Sequence, residues 1–187
     1  MASARMHFEK ALSLYRGAGA ESAALATLLN LADMTWALVD LDAALVGFRQ
    51  AVALMKKSPL ATKGMLGVCL TNLAGVHTER GELAEALAIA REGLPLREEE
   101  GYAWGALDHL ALRAALAGRV ANAARLASFT NLTFEAKEVS RQPNEARAQD
   151  RLQALLREAL TPDELEHLLA EGAKMSEEEA CRMALEE

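Results

Sequence analysis

An all-α fold of stacked helix pairs is predicted by three observations. The chain is 51% hydrophobic but only 4% aromatic, and alanine and leucine make up the difference. Both residues lose little side-chain freedom in a helix. Runs of valine, isoleucine and threonine, which strands favour, are absent. Third, the chain aligns with itself at matched offsets, which marks a repeat architecture. Its 187 residues suffice for one domain that buries roughly two-thirds of its unfolded surface without metal or disulfide.

Taken in order, the chain opens on Ala4, Phe8 and Ala11, spaced like Ala44, Phe48 and Ala51. The first full copy has Asn30-Leu31-Ala32, a turn at Val39 and then Ala44. The second has Asn72-Leu73-Ala74, Gly81 and Ala86, and the third His109-Leu110-Ala111, Gly118 and Ala123. Copies are offset by 40, 42 and 37 residues. Each full copy reads as two antiparallel helices joined at a turn where glycine tolerates positive φ. The alanines mark close helix crossings, and leucines at i, i+3, i+4 and i+7 supply the buried stripe. One pair cannot cover its own apolar face, so neighbours must stack. The opening segment reads as the second helix of a pair. Its apolar edge is expected to be covered by a preceding stretch of a longer protein or by a partner.

The Leu-Ala pair, the turn glycine and the Ala…Phe…Ala series resemble the tetratricopeptide repeat over roughly residues 4 to 139. The departures are Val39 at a turn-glycine position, Ala90 and Ala127 at usually large positions, and a period nearer 40 than 34. The resemblance implies an α–α superhelix of about three repeats over residues 1–140, with first helices lining a concave groove.

Residues 141–187 predict helices that cap the array. Pro143-Asn144-Glu145 starts one that runs to about Leu160, with Leu152, Leu155 and Leu156 on one face. Thr161-Pro162-Asp163-Glu164 combines a cap, a first-turn proline and a reciprocating glutamate, and Gly172 closes that helix. Ser176 to Glu179 repeats the device for a helix ending near Leu185. The run through Asp108-His109-Leu110, Gly118-Arg119, Ala124-Arg125-Leu126, Pro143 to Arg147 and Leu168 to Gly172 resembles the C-terminal end of large bacterial transcriptional regulators. Those proteins join a winged-helix or helix-turn-helix domain and a signalling NTPase domain to helical repeats. The match spans about residues 103 to 187. No Gly-x-x-x-x-Gly-Lys-Ser/Thr motif occurs.

A net charge of −7 disfavours direct nucleic-acid binding, which needs clustered cations to displace counterions. Residues 141–187 carry six basic and twelve acidic side chains, many placed where helix N-termini favour anions. Arg5, Arg49, Lys56, Lys57 and Lys63 make the first third mildly basic, as an ordinary solvated face would be. Cys69 and Cys181 lack zinc-ligand or redox spacing and read as buried thiols in a reducing cytoplasm. No stretch of about 18 apolar residues predicts a membrane span, and no membrane partner is expected.

His77, Glu79, Asp108 and His109 lie on first helices of adjacent copies, where they could approach one another. No His-x-x-x-His pair or third ligand is fixed by spacing, so neither a metal site, a cofactor nor an enzyme is expected. The stronger candidate is the polar row of the groove. Asn30, Asn72 and His109 precede the small-residue positions, and carboxamides can hold the backbone of an extended peptide. Asp33 and Trp36 share the wall with Asn30, Thr71 and Glu79 with Asn72, and Asp108 with His109. Trp36 is equally readable as an anchor for a partner or as core. The expected ligand is a protein or peptide segment, or a small effector. Self-association into a homo-oligomer is the alternative.

Overall fold

The computed structural model describes residues 2–187, with side chains from Arg5 onward. Ala4, matched above to Ala44, therefore has its side chain outside the described residues. The helices are α1 (Ala2–Gly17), α2 (Glu21–Ala37), α3 (Leu41–Met55), α4 (Lys63–Glu79), α5 (Leu83–Glu98), α6 (Leu107–Leu116), α7 (Val120–Ala136), α8 (Pro143–Ala159), α9 (Pro162–Gly172) and α10 (Glu177–Ala184). A 3-10 turn at Ala103–Ala106 leads into α6. No strand occurs among the described residues.

Three antiparallel pairs, α2 with α3, α4 with α5 and α6 with α7, stack side by side, and α1 packs on α2. The pairs turn alike. Asp40 N bonds to Thr35 O, Glu82 N to His77 O and Arg119 N to Ala114 O. Each donor follows its acceptor by five residues, which is the Schellman closure. The residue before each donor is left-handed: Val39 (φ 63), Gly81 (φ 78) and Gly118 (φ 80). Val39 thus performs the glycine's task, in a region that β-branched residues rarely occupy.

The repeating alanines lie where helices cross. Ala32, Ala44, Ala51, Ala74, Ala86, Ala111 and Ala123 are all buried. Ala90 and Ala127, small where a large residue is usual, are also fully buried. The reason for Ala90 is a close approach of α5 to α4. A Cβ on Gly93, one turn further along, would fall 2.6 Å from the Leu70 Cβ.

The last three helices share the core of α6 and α7. Leu152, Leu156, Ala180 and Cys181 join Leu107, Leu110 and Leu126 in one cluster. α9 lies along α7 so closely that a Cβ on Gly172 would sit 2.1 Å from Arg125 O, and Arg125 Nε reaches Glu171 at 2.7 Å. α10 lies beside α6 and α7. Arg91 of α5 donates to Leu185 O at 3.2 Å, and Arg113 of α6 donates to Glu186 O at 3.0 Å. The capping boxes expected at Thr161/Glu164 and Ser176/Glu179 are both formed. No described helix is long and apolar enough to cross a membrane.

Candidate functional site

The first helices α2, α4 and α6 form the wall that carries the predicted row, and α8 lies across it. Its place follows from its sequence. Asn144, Ala148, Leu152 and Leu156 recur every four residues and are all buried. Leu152 and Leu156 anchor the C-terminal half in the core shared with α6 and α7. The N-terminal half carries Asn144 and Arg147, and these meet the wall through polar contacts. A buried polar stripe is stable only when its groups are paired.

The pairing is extensive. Asn144 Nδ2 donates to Asp33 Oδ1 at 3.1 Å, and Asn72 Nδ2 donates to the same oxygen at 3.3 Å. Arg147 donates to both Glu79 oxygens, at 2.9 Å from Nη2 and 3.3 Å from Nε, and to Trp36 O at 3.4 Å. Trp36 Nε1 adds a bond to Glu79 Oε1 at 3.1 Å. Just before α8, Arg141 grips Asp108 in a bidentate pair, Nε to Oδ2 at 2.7 Å and Nη2 to Oδ1 at 3.2 Å. Asp33, Glu79 and Asp108, the three acids of the row, are thus all met from the α8 side.

Trp36 and His109 lie deeper. Trp36 is 1% exposed, meets Phe48 edge-on at 6.1 Å and lies 4.6 Å from the His109 ring. Gly75 makes room for the indole, since a Cβ there would come 2.5 Å from the Trp36 Cη2. Trp36 is therefore a core residue at the junction of α2, α4 and α6. Burial, with Arg147 and Arg97 nearby, pushes the His109 imidazole down to about 3, which leaves it neutral. Thr71 is buried, donates to Gly67 O and accepts from Arg97 Nη1 at 3.2 Å, so it faces α5. Asn30 is exposed on α2.

Carboxylates in this polar seam feel desolvation. Burial raises Asp33 above its ordinary value, against the opposing bond from Asn144. Burial pushes Glu145 up to about 7, with Asp108 and Asp33 adding to it, while the Gln142 backbone N–H and Arg97 oppose it. Arg97 is itself depressed by burial.

The four groups weighed for metal chemistry go to separate partners. His77 Nδ1 meets Glu82, Glu79 meets Arg147, Asp108 meets Arg141, and His109 lies against Trp36. No cluster of three or more His, Cys, Asp or Glu side chains with metal-binding geometry occurs among the described residues. Burial raises the thiols of Cys69 and Cys181 to about 12.

Asn144, Arg147, Arg141, Gln149 and Asn131 carry much of the seam, and sequence reasoning gave them no role. The available signal was Asn144 standing on the buried stripe of α8. Its partner Asp33, 111 residues away, had no local marker.

No curated protein and no solved structure gives a match to the chain. Residues 23–99, which take in the pairs α2–α3 and α4–α5, match the tetratricopeptide repeat family, and over that span the chain is similar to it in sequence as well as in fold.

Proposed function

We propose that the chain is a non-catalytic, tetratricopeptide-type interaction module whose groove is held in the resting state by its own α8, and that a partner segment engages by competing with the N-terminal half of α8. Repeats of this type point to protein interaction as the general function. The observation that carries the finer reading is the division of labour along α8. Asn144 and Arg147 meet Asp33 and Glu79 through hydrogen bonds. Leu152 and Leu156, by contrast, hold the far half by apolar burial. The near half is the part that a competitor bearing similar donors can replace, because one set of hydrogen bonds exchanges for another with little net cost. The likeness of residues 103–187 to the end of bacterial transcriptional regulators supports a cytoplasmic setting, where partner or effector binding biases attached domains.

The test uses the whole chain and a labelled peptide of residues 141–160, followed by fluorescence anisotropy. Arg147→Ala loosens the resident half-helix, so the peptide is expected to bind this variant more tightly than the native chain. A peptide with Asn144 and Arg147 replaced by alanine should lose that binding. Absence of binding by both proteins at about 1 mM peptide, the weak end of specific recognition, would overturn the competitive groove.

A further inference from the structure

Away from α8, the seam between α1 and α3 remains open over α2. A cleft of about 410 Å³ lies there, with Tyr15, Arg16, Leu25, Leu28, Leu54 and Lys57 among its lining residues. Leu25 and Leu28, each 4% exposed, form its floor, while Tyr15 (41%) and Leu54 (40%) stand as half-open walls. Arg16 and Lys57 sit on the rim, and neither has an ion-pair partner among the described residues. The one acid on that rim, Glu21, is engaged by the Ser58 hydroxyl.

The equivalent seam of the next repeat shows what is missing. Between α3 and α5, Lys56 pairs with Glu92 at 2.7 Å, and Ile89 packs against both core clusters. The repeat offsets of 40 and 42 place Arg16 where Lys56 stands and Gln50 where Glu92 stands. Arg16 and Gln50 line a second, adjoining cleft of about 200 Å³ that also includes Leu28. The first seam therefore has a cation on the α1 side and no facing carboxylate on α3 to close it.

We infer that this cleft is a binding site for an amphipathic carboxylate, with the hydrocarbon body on Leu25, Leu28 and Leu54 and the acid group between Arg16 and Lys57. The size suits a small ligand, and pockets of this class are mainly apolar with a few placed polar groups that orient the ligand. The ligand's acid group supplies to Arg16 the negative charge that Glu92 supplies to Lys56 one repeat later. Hydrocarbon burial provides the attraction, and the paired cations select an acid over a neutral chain. The inference stands independently of the α8 groove, whose residues lie on other surfaces.

Isothermal titration of the whole chain with decanoate below its micelle concentration, beside decanol and acetate, provides the test. Decanoate is expected to saturate one site, decanol to bind about tenfold more weakly or worse, and acetate not to bind detectably. The double variant Arg16→Glu, Lys57→Glu changes only exposed side chains, so its helical circular dichroism should be unchanged while decanoate affinity falls at least about tenfold. Leu54→Asp should abolish saturation from the apolar side. Equal binding of decanoate and decanol, unchanged affinity in the charge-reversed variant, or no saturation by decanoate would each overturn the assignment. None of these outcomes involves the 141–160 peptide, so failure here and failure of the groove reading are separable.

Discussion

Replacing Arg141 with alanine is expected to lower the unfolding free energy by about 3–5 kcal/mol, among the largest losses for any single side chain near the groove. The Asp108 carboxylate is 1% exposed and takes both of its close bonds from that guanidinium. Arg141 also bonds Asn131 Oδ1 at 2.8 Å and lies 4.3 Å over the Phe134 ring. Truncation strands a charge inside the protein, which costs far more than the pair itself contributes. The double replacement Asp108→Leu, Arg141→Leu should therefore lose less than Arg141→Ala alone, because no unpaired charge remains. Urea unfolding of the three proteins measures both quantities. A loss below about 1 kcal/mol for Arg141→Ala, the range of an exposed ion pair, would mean that the loop before α8 does not dock on α6.

The second large effect depends on pH. Glu145 is held at about 7 from an ordinary 4.5, so between those values the folded chain binds more protons than the unfolded one. Its contribution to stability is fully present below about pH 4.5 and is lost as pH rises through 7. Replacement by glutamine removes this dependence while keeping a residue that can return the bond to the Gln142 N–H. Relative to the native chain, Glu145→Gln should gain up to about 3 kcal/mol between pH 5 and pH 8. His109 acts in the opposite direction. Held at about 3 from 6.5, it loses stability as pH falls from 6.5 through 3, in both proteins alike. Subtracting one denaturation curve from the other removes it. A difference that stays constant from pH 5 to pH 8 would show that Glu145 is solvated.

Local chemistry made much of the fold readable in advance. Leu-Ala pairs at fixed offsets located the crossings, glycines located the turns, and Thr161/Glu164 and Ser176/Glu179 located two helix starts, because each signal acts within a few residues. Val39 was legible as a turn only from its offset, since nothing in its own chemistry favours positive φ. Trp36 was undecided because a tryptophan near a groove serves equally as anchor or core. Gly75, 39 residues later, decides it by making room for the ring. Asp33, Glu79 and Asp108 stand on the first helices and meet Asn144, Arg147 and Arg141. Those contacts span 111, 68 and 33 residues and leave no periodic trace. The open seam was likewise invisible. Arg16 and Lys57 look like ordinary surface charges until Gln50 is seen where the next repeat has Glu92.

Native-state hydrogen exchange reads directly whether α8 lies packed across α2, α4 and α6. Most helical stability in proteins comes from tertiary packing rather than from propensity, so slow exchange in α8 reports its packing. The amides of Ala148 to Leu156 should exchange as slowly as those of α4 and α6. Exchange as fast as in the loop at 137–142, with α4 and α6 still protected, would place α8 outside the groove and contradict the account.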